Sequence, residues 1–187
     1  MSSLAKQIAD AALLRGEFTL RSGRTSRYYL DKYLFSTRPE LLKPVAELFA
    51  QRIRAISDER SGGDATHAVP GVNRLAGAEL GGIPLVTAAA LETGLPTIFI
   101  RNQKKTYGTS KQLEGRLEPG DRVVMLEDVA TTGGQALEAV QILRQAGAEV
   151  VAVIAVIDRQ EGAAENMHKA GVPFQSLFTR QDLGIDD

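Results

Sequence analysis

The 187-residue chain contains no cysteine. Disulfides, thiol nucleophiles and cysteine-built metal centres are therefore excluded, and the composition suits a reducing cytoplasmic compartment. Histidine is nearly as scarce: His67 and His168 are the only two. They stand far apart without metal-ligand spacing, so both are read as structural or surface residues. Net charge is close to nil, with 22 basic and 23 acidic side chains giving a formal −1. No global field then draws the chain to nucleic acid or to a membrane, and neither is expected as a partner. No apolar run approaches membrane-spanning length. The first residues lack a basic stretch leading into an apolar core, so no secretory signal is expected. Internal repeats and low-complexity tracts are missing as well. What is present is an ordinary globular composition, 43% apolar and 24% charged, at a length that suits one domain over residues 1–187.

The chain is organised around Val123–Gln135. Val123 to Leu126 is an unbroken apolar run, as in a strand covered on both faces of a parallel sheet. Glu127 and Asp128 follow, then Val129, Ala130, the hydroxyls Thr131 and Thr132, and Gly133-Gly134. Ala136, Leu137, Val140 and Leu143 then recur at helical spacing. A strand, two acids, a small hydroxyl-rich turn and a helix start make a phosphate site. Amide groups at a helix start lack intrahelical partners and carry partial positive charge. Glycines admit close approach, and threonine hydroxyls donate to phosphate oxygens. Two acids suit ribose hydroxyls, or a divalent metal shared with phosphates. The bland alternative is a capped strand–helix connection. A P-loop is excluded because no Gly-Lys-Ser/Thr follows, and a Rossmann fingerprint because the acids precede the glycines.

Along the chain, Leu4, Ile8, Ala11 and Ala12 mark a helix ending near Gly16. Short strands are expected at Glu17–Leu20 and Tyr28–Asp31, flanking a turn with Arg21, Arg24 and Arg27. Those arginines are either a solvated hairpin tip or a hold on an anionic substrate. Thr37-Arg38-Pro39-Glu40 is a capping box opening a helix with Leu42, Val45, Phe49, Ile53 and Ile56 on one face. Ser57–Asp64 reads as a surface loop and Thr66–Val69 as a strand. Gly77–Gly82 is a second glycine-rich turn before an alanine-rich helix to about Glu92. Thr97–Ile100 is a strand. Residues 102–115 are polar, hold Lys104, Lys105 and Lys111, and read as either a disordered segment or a mobile functional lid. Val150–Ile157 is another strand, Gly162–Ala170 a short helix, Val172–Leu177 an edge strand and Thr179–Leu183 a terminal turn. The alternation predicts an α/β fold, a mostly parallel sheet flanked by helices. Residues 1–36 do not follow it and are expected to form a small cap over the sheet's carboxyl edge, where the glycine turns, Arg101 and Asp158-Arg159 would gather.

The central stretch resembles the phosphoribosyl-diphosphate motif of type I phosphoribosyltransferases. Nearly the whole chain is similar to the orotate phosphoribosyltransferase family. The resemblance rests on Phe18–Ser26, Gly81–Leu85, Arg101 through Lys105-Thr106-Tyr107-Gly108-Thr109, Leu113–Gly115, the central motif and Asp158–Gly162. It implies a glycosyltransferase (pentosyltransferase) that joins orotate to phosphoribosyl diphosphate with Mg²⁺, giving orotidine 5′-phosphate in UMP biosynthesis. By the same resemblance Thr131, Thr132, Gly133, Gly134 and Gln135 cradle the 5-phosphate, with Val129 and Ala130 leading into the turn. Glu127 and Asp128 hold the ribose hydroxyls, and Ala78, Glu79, Leu80 and Gly81 form the diphosphate loop. Arg101, Lys105 and Tyr107 contact the diphosphate. Thr131, Arg159, Arg21 and backbone at Tyr29 and Leu30 would read orotate. The catalytic set would be Lys105, Asp128, Arg101 and Lys104, in a homodimer whose loop is shared across subunits. Magnesium would be held mainly through substrate phosphates and ribose hydroxyls. Asn102 departs from the family pattern, which has lysine there, and Lys104 is the candidate replacement. Arg21 stands where lysine is usual, keeping charge but not a tunable pKa. Tyr107 cannot carry protons at neutral pH as a histidine could.

Two other readings use the same residues. One is a regulator that binds phosphoribosyl diphosphate without turnover, although no DNA-binding segment is visible. The other is the same chemistry on a purine base.

Overall fold

The computed structural model describes residues 3–19, 23, 25–61, 71–102 and 112–185. Helix α1 (Leu4–Ala12) starts at Ser3, whose hydroxyl accepts from the Lys6 amide at 3.3 Å. It stops before Gly16 because the next residues are claimed by a hairpin. Strand β1 (Leu13–Thr19) runs antiparallel to β2 (Thr25–Leu30), with Leu13 opposite Leu30 and Thr19 opposite Thr25. A short helix α2 (Tyr33–Ser36) leads to α3 (Pro39–Ser61). Thr37 does not cap α3; its hydroxyl donates back to the Tyr33 carbonyl at 2.5 Å. Helix α3 also continues through the start of the expected Ser57–Asp64 loop. Its buried stripe of Leu41, Val45, Phe49, Ile53 and Ile56 carries the helix on, and the Ser57 hydroxyl is used to accept from the Val72 amide at 3.3 Å.

The alternation of strand and helix then begins. Strand β3 (Arg74–Ala78) precedes α4 (Gly82–Thr93), followed by β4 (Thr97–Ile100) and the two-residue β5 (Leu113–Glu114). Strand β6 (Arg122–Ala130), α5 (Gly134–Gln145), β7 (Glu149–Asp158), α6 (Ala163–Lys169) and β8 (Phe174–Thr179) complete it, with a 3₁₀ turn at Gln181–Leu183. The strand expected at Thr66–Val69 lies outside the described residues. The loop expected over residues 102–115 gives up its end to β5, which pairs antiparallel with β4 through Leu113 opposite Ile100.

The six-stranded sheet has the order β5-β4-β3-β6-β7-β8. Every pairing except β4 with β5 is parallel. This is the α/β architecture the sequence indicated. Strand period decides which side chains meet which helices. Leu75, Val124, Leu126 and Ile154 face α3, α4 and the buried Ile8, Ala12 and Phe35 of the N-terminal segment. Ala76, Ile98, Met125 and Val153 face α5 and Met167 of α6. Both faces are thus covered, which explains why the central strands read as continuous apolar runs.

The amino end of the sheet is tied by a polar network. Asp121 accepts from Asn73 Nδ2 at 3.0 Å, Arg74 Nε at 2.8 Å and the Glu118 amide at 2.8 Å. The Asn73 carbonyl oxygen of the side chain accepts from the Arg122 amide at 2.9 Å. Burial disfavours the Asp121 charge, but these donors outweigh it and hold the carboxyl below its usual range. Ligand chemistry falls at the other end, where β3, β4, β6 and β7 all deliver their carboxyl termini. Among the described residues no helix is long and apolar enough to cross a membrane.

Candidate active site

Strand β6 runs through both acids instead of ending before them. Its pairing with β7 continues as Glu127 with Ala155, Val129 with Ile157 and Ala130 with Asp158. Adjacent strand residues point to opposite faces, so the two carboxylates enter the site from different sides. Asp128, only 2% exposed, shares the face of Leu126 and meets the α4 turn. Glu127 shares the face of Met125 and lines the cavity beside Gln135 and Glu138 of α5.

Asp128 is held tightly. Its Oδ1 accepts from the Val129 amide at 2.6 Å, and Oδ2 is 2.7 Å from Lys32 Nζ. Burial works against the Lys32 charge, yet Asp128 more than offsets it and raises the ammonium above its usual range. Glu127 goes the other way for a carboxyl: burial, and then the neighbouring Asp128 charge, push it up to about 8. The two acids thereby meet different surroundings, an ammonium beside Asp128 and burial next to that carboxylate for Glu127.

Beyond the acids the chain turns at Thr131, Thr132 and Gly133 into α5. Gly133 adopts φ +77°, where a side chain is strained, and a Cβ there would press on Met167 and Ala163. The Thr132 carbonyl accepts from Asn166 Nδ2 at 2.9 Å, which fixes the turn against α6. Residues from Glu127 and Val129 to Ala136, with Glu138, line a cavity of about 270 Å³ at the helix start. Its open amides and hydroxyls form an anion cradle.

A second cavity of about 370 Å³ adjoins it, sharing Glu127, Gln135 and Glu138. The turn from β3 to α4 forms one wall. Glycine is required here by contact: a Cβ on Gly77 would meet the Gly82 backbone, and one on Gly81 would overlap the Asp128 carboxylate. The Glu79–Leu80 peptide is cis. Ala78 ends β3, so the turn proper begins at Glu79; Leu80 is 65% exposed. The Glu79 amide donates to the Ile100 carbonyl at 2.8 Å, and its carboxylate accepts from the Asn102 amide at 2.7 Å. Arg101 is latched to Gln112 in both directions, by its amide at 2.9 Å and its carbonyl at 3.0 Å. Arg101 and Asn102 line the same cavity. Lys104, Lys105, Tyr107 and Arg21 lie outside the described residues.

The hairpin reaches the sheet edge from above. Arg159 follows β7, and its amide donates to the Ala130 carbonyl at 2.9 Å. Its guanidinium donates to the Tyr28 hydroxyl at 3.0 Å, pairs with Glu161 at 2.7 Å and lies 5.1 Å from the Tyr28 ring centre. Its Nε is buried with no hydrogen-bond partner. The residue beneath Arg159 is thus Tyr28. Tyr29 is 45% exposed and packs on Phe18 at 5.7 Å, and Leu30 is buried at the hairpin base. Neither Lys32 nor Tyr28 carries a local sequence signal; each becomes visible only when the hairpin is folded onto the strand ends.

An anion cradle and an adjoining cavity that share Glu127 at one sheet edge, with Asp128 lining the second, suit a sugar carrying phosphate at both ends. The model of the phosphoribosyl transferase domain family matches residues 36–176, which span both turns and the acid pair, and the class of the chain is that of the phosphoribosyltransferases. Orotate phosphoribosyltransferase of Natronomonas pharaonis is 46% identical over 184 residues, covering 98% of this chain and 96% of the relative. The chain belongs to the orotate phosphoribosyltransferase family. Among solved structures, the crystal structure of orotate phosphoribosyltransferase from Aeropyrum pernix superposes with a TM-score of 0.79 at 31% identity, covering 97% of this chain and 96% of that one. The Mycobacterium tuberculosis H37Rv orotate phosphoribosyltransferase, in complex with 5-phospho-α-D-ribosyl 1-diphosphate, gives 0.76 at 29% identity with 97% coverage of each chain.

Proposed function

We propose that the chain transfers ribose 5-phosphate from phosphoribosyl diphosphate to orotate, giving orotidine 5′-phosphate and diphosphate in pyrimidine biosynthesis. The observation that carries this reading is the end of β6, where the buried Asp128 and the half-buried Glu127 stand between the α5 cradle and the Gly81 turn. In this reading the 5-phosphate rests on the amides and hydroxyls of Thr131–Gln135. The ribose hydroxyls donate to the acid pair, and the diphosphate lies along Glu79–Gly81 and Arg101. The bond from the ribose carbon to the diphosphate oxygen breaks, and a bond to an orotate ring nitrogen forms as that nitrogen gives up its proton to the released diphosphate or to water. The departing diphosphate takes the electron pair, and the sugar carries positive charge in the transition state. Fixed donors aimed at the leaving oxygens stabilise that separation.

The described lining of the larger cavity has four carboxylates, Glu79, Glu127, Asp128 and Glu138, against two cations, Lys32 and Arg101. A polyanion entering it needs further positive charge. Mg²⁺ carried by the substrate's phosphates and ribose hydroxyls would supply it, neutralising charge that develops on the leaving group. Lys104, Lys105 and Tyr107 would add to Arg101 from the segment that follows it. Arg159 offers orotate a guanidinium with an unused buried Nε, joined by Thr131, by Arg21 and by backbone at Tyr29 and Leu30. A cytoplasmic homodimer sharing the 102–115 loop completes the proposal.

Loss of orotate absorbance in the presence of phosphoribosyl diphosphate is the decisive assay, run with Mg²⁺ and with chelator, and with adenine and hypoxanthine in parallel. Mg²⁺-dependent turnover of orotate alone is expected. Binding of phosphoribosyl diphosphate without turnover would instead make the chain a non-catalytic binder, and turnover of a purine would move it to another base.

A further inference from the structure

Lys32 sits between β2 and α2 on a backbone that has little freedom. The Asp31 amide donates to the Ala12 carbonyl at 2.9 Å, the Leu34 amide to the Asp31 carbonyl at 3.0 Å, and Phe35 is fully buried. The side chain crosses from this N-terminal segment to the sheet edge. Its Nζ lies 2.7 Å from Asp128 Oδ2, 5.6 Å from the Tyr33 ring centre, and 3.2 Å from where a Cβ on Gly81 would stand. One ammonium therefore pairs with Asp128 and stands beside the Gly81 turn assigned to diphosphate.

The two partners differ in freedom. The Asp128 side chain is 3% exposed and that of Lys32 is 34% exposed. The carboxylate is fixed in place by its strand, whereas a lysine head on a flexible stem can change partner at small cost. Both Asp128 oxygens have partners, the Val129 amide at Oδ1 and the Lys32 ammonium at Oδ2. A ribose hydroxyl must find an acceptor there, so Lys32 has to share or leave Oδ2. A diphosphate entering the Gly81 turn offers the same ammonium a partner of higher charge within reach.

We propose that Lys32 is a substrate-binding cation that exchanges Asp128 for the diphosphate of phosphoribosyl diphosphate as that substrate binds. This rests on the reading of the site given above. Paired with Asp128, Lys32 neutralises a buried carboxylate. In the complex it frees Asp128 for the ribose and holds the leaving group. When diphosphate departs, it returns to Asp128.

The test is calorimetric titration of wild type, Lys32→Met and Lys32→Arg with three probes in Mg²⁺ and without orotate: phosphoribosyl diphosphate, diphosphate and ribose 5-phosphate. Lys32→Met is expected to weaken the first two by about tenfold or more, the loss typical of one charge-assisted hydrogen bond. Binding of ribose 5-phosphate should be unchanged or tighter, and Lys32→Arg should recover part of the diphosphate affinity. Equal weakening of all three probes would make Lys32 a fixed tie between cap and sheet and overturn the exchange. Undiminished diphosphate binding would overturn it as well. If wild type fails to bind phosphoribosyl diphosphate at all, the functional reading itself has failed. If Lys32→Met does not fold, Lys32→Gln carries the same comparison.

Discussion

Asp128 is almost fully covered, and its two oxygens meet a cation and a backbone amide. Replacing it with asparagine removes one charge-assisted acceptor from the ribose and leaves Lys32 facing a neutral amide. The expected cost is about 2 kcal/mol in transition-state binding, roughly thirtyfold in kcat/KM for phosphoribosyl diphosphate. Unchanged steady-state kinetics for Asp128→Asn would remove it from the ribose. Arg159 makes a different prediction. Its guanidinium is pre-set by Tyr28 and Glu161, so Arg159→Ala should raise the KM for orotate well above any change for the other substrate. Equal changes in both KM values would rule out a ring-reading role. The acid pair and Arg159 were legible in the sequence because each follows an apolar run. Lys32 and Tyr28 were not, because their partners are distant in the chain and no spacing rule links them.

The elements were legible in proportion to the strength of their local signal. Val123–Leu126 and Val150–Ile157 announced β6 and β7, and Ala136, Val140 and Leu143 announced α5. Strand β3 was hidden because Arg-Leu-Ala-Gly-Ala is small, short and glycine-broken; its burial between β4 and β6 makes it a strand. The end of β6 was misplaced because charge suggested a loop, while cross-strand pairing with β7 carried the ladder on to Ala130. The turn into α5 was read correctly as two hydroxyls and two glycines, and only the structure shows which glycine is constrained. Gly133→Ala puts a side chain at φ +77° against Met167 and Ala163. It should destabilise the fold by about 1–2 kcal/mol and weaken 5-phosphate binding further. Thermal melting and ribose 5-phosphate titration would check the two effects separately. A variant as stable and as tight-binding as wild type would show that the cradle does not need this conformation.

At the scale of the whole molecule, Glu127 ties stability to pH. Burial and the Asp128 charge push its carboxyl from the ordinary 4.5 up to about 8 in the fold, so the folded chain binds the proton more strongly than the unfolded chain. Stability from this group is fully present below about pH 4.5 and is lost as pH rises through 8. The lowered carboxyls of Asp121 and Asp182 act near and below pH 4, and the raised Lys32 acts above pH 10. Glu127 acts in the interval between. The melting temperature of wild type should therefore decline from pH 5 to pH 8.5, and Glu127→Gln should flatten that decline. Parallel curves for the two proteins would contradict the raised carboxyl.

The two ends of the sheet have separate duties. Asn73, Arg74, Asp121 and Arg122 lace the amino ends of the strands, at the opposite end of the sheet from the two cavities proposed to take substrate. Changes in the rim that selects the base then leave the knot that anchors the strands untouched. A lineage can retune what it accepts at one pole while the opposite pole keeps the molecule folded, which gives such a scaffold room to drift toward new nucleobases.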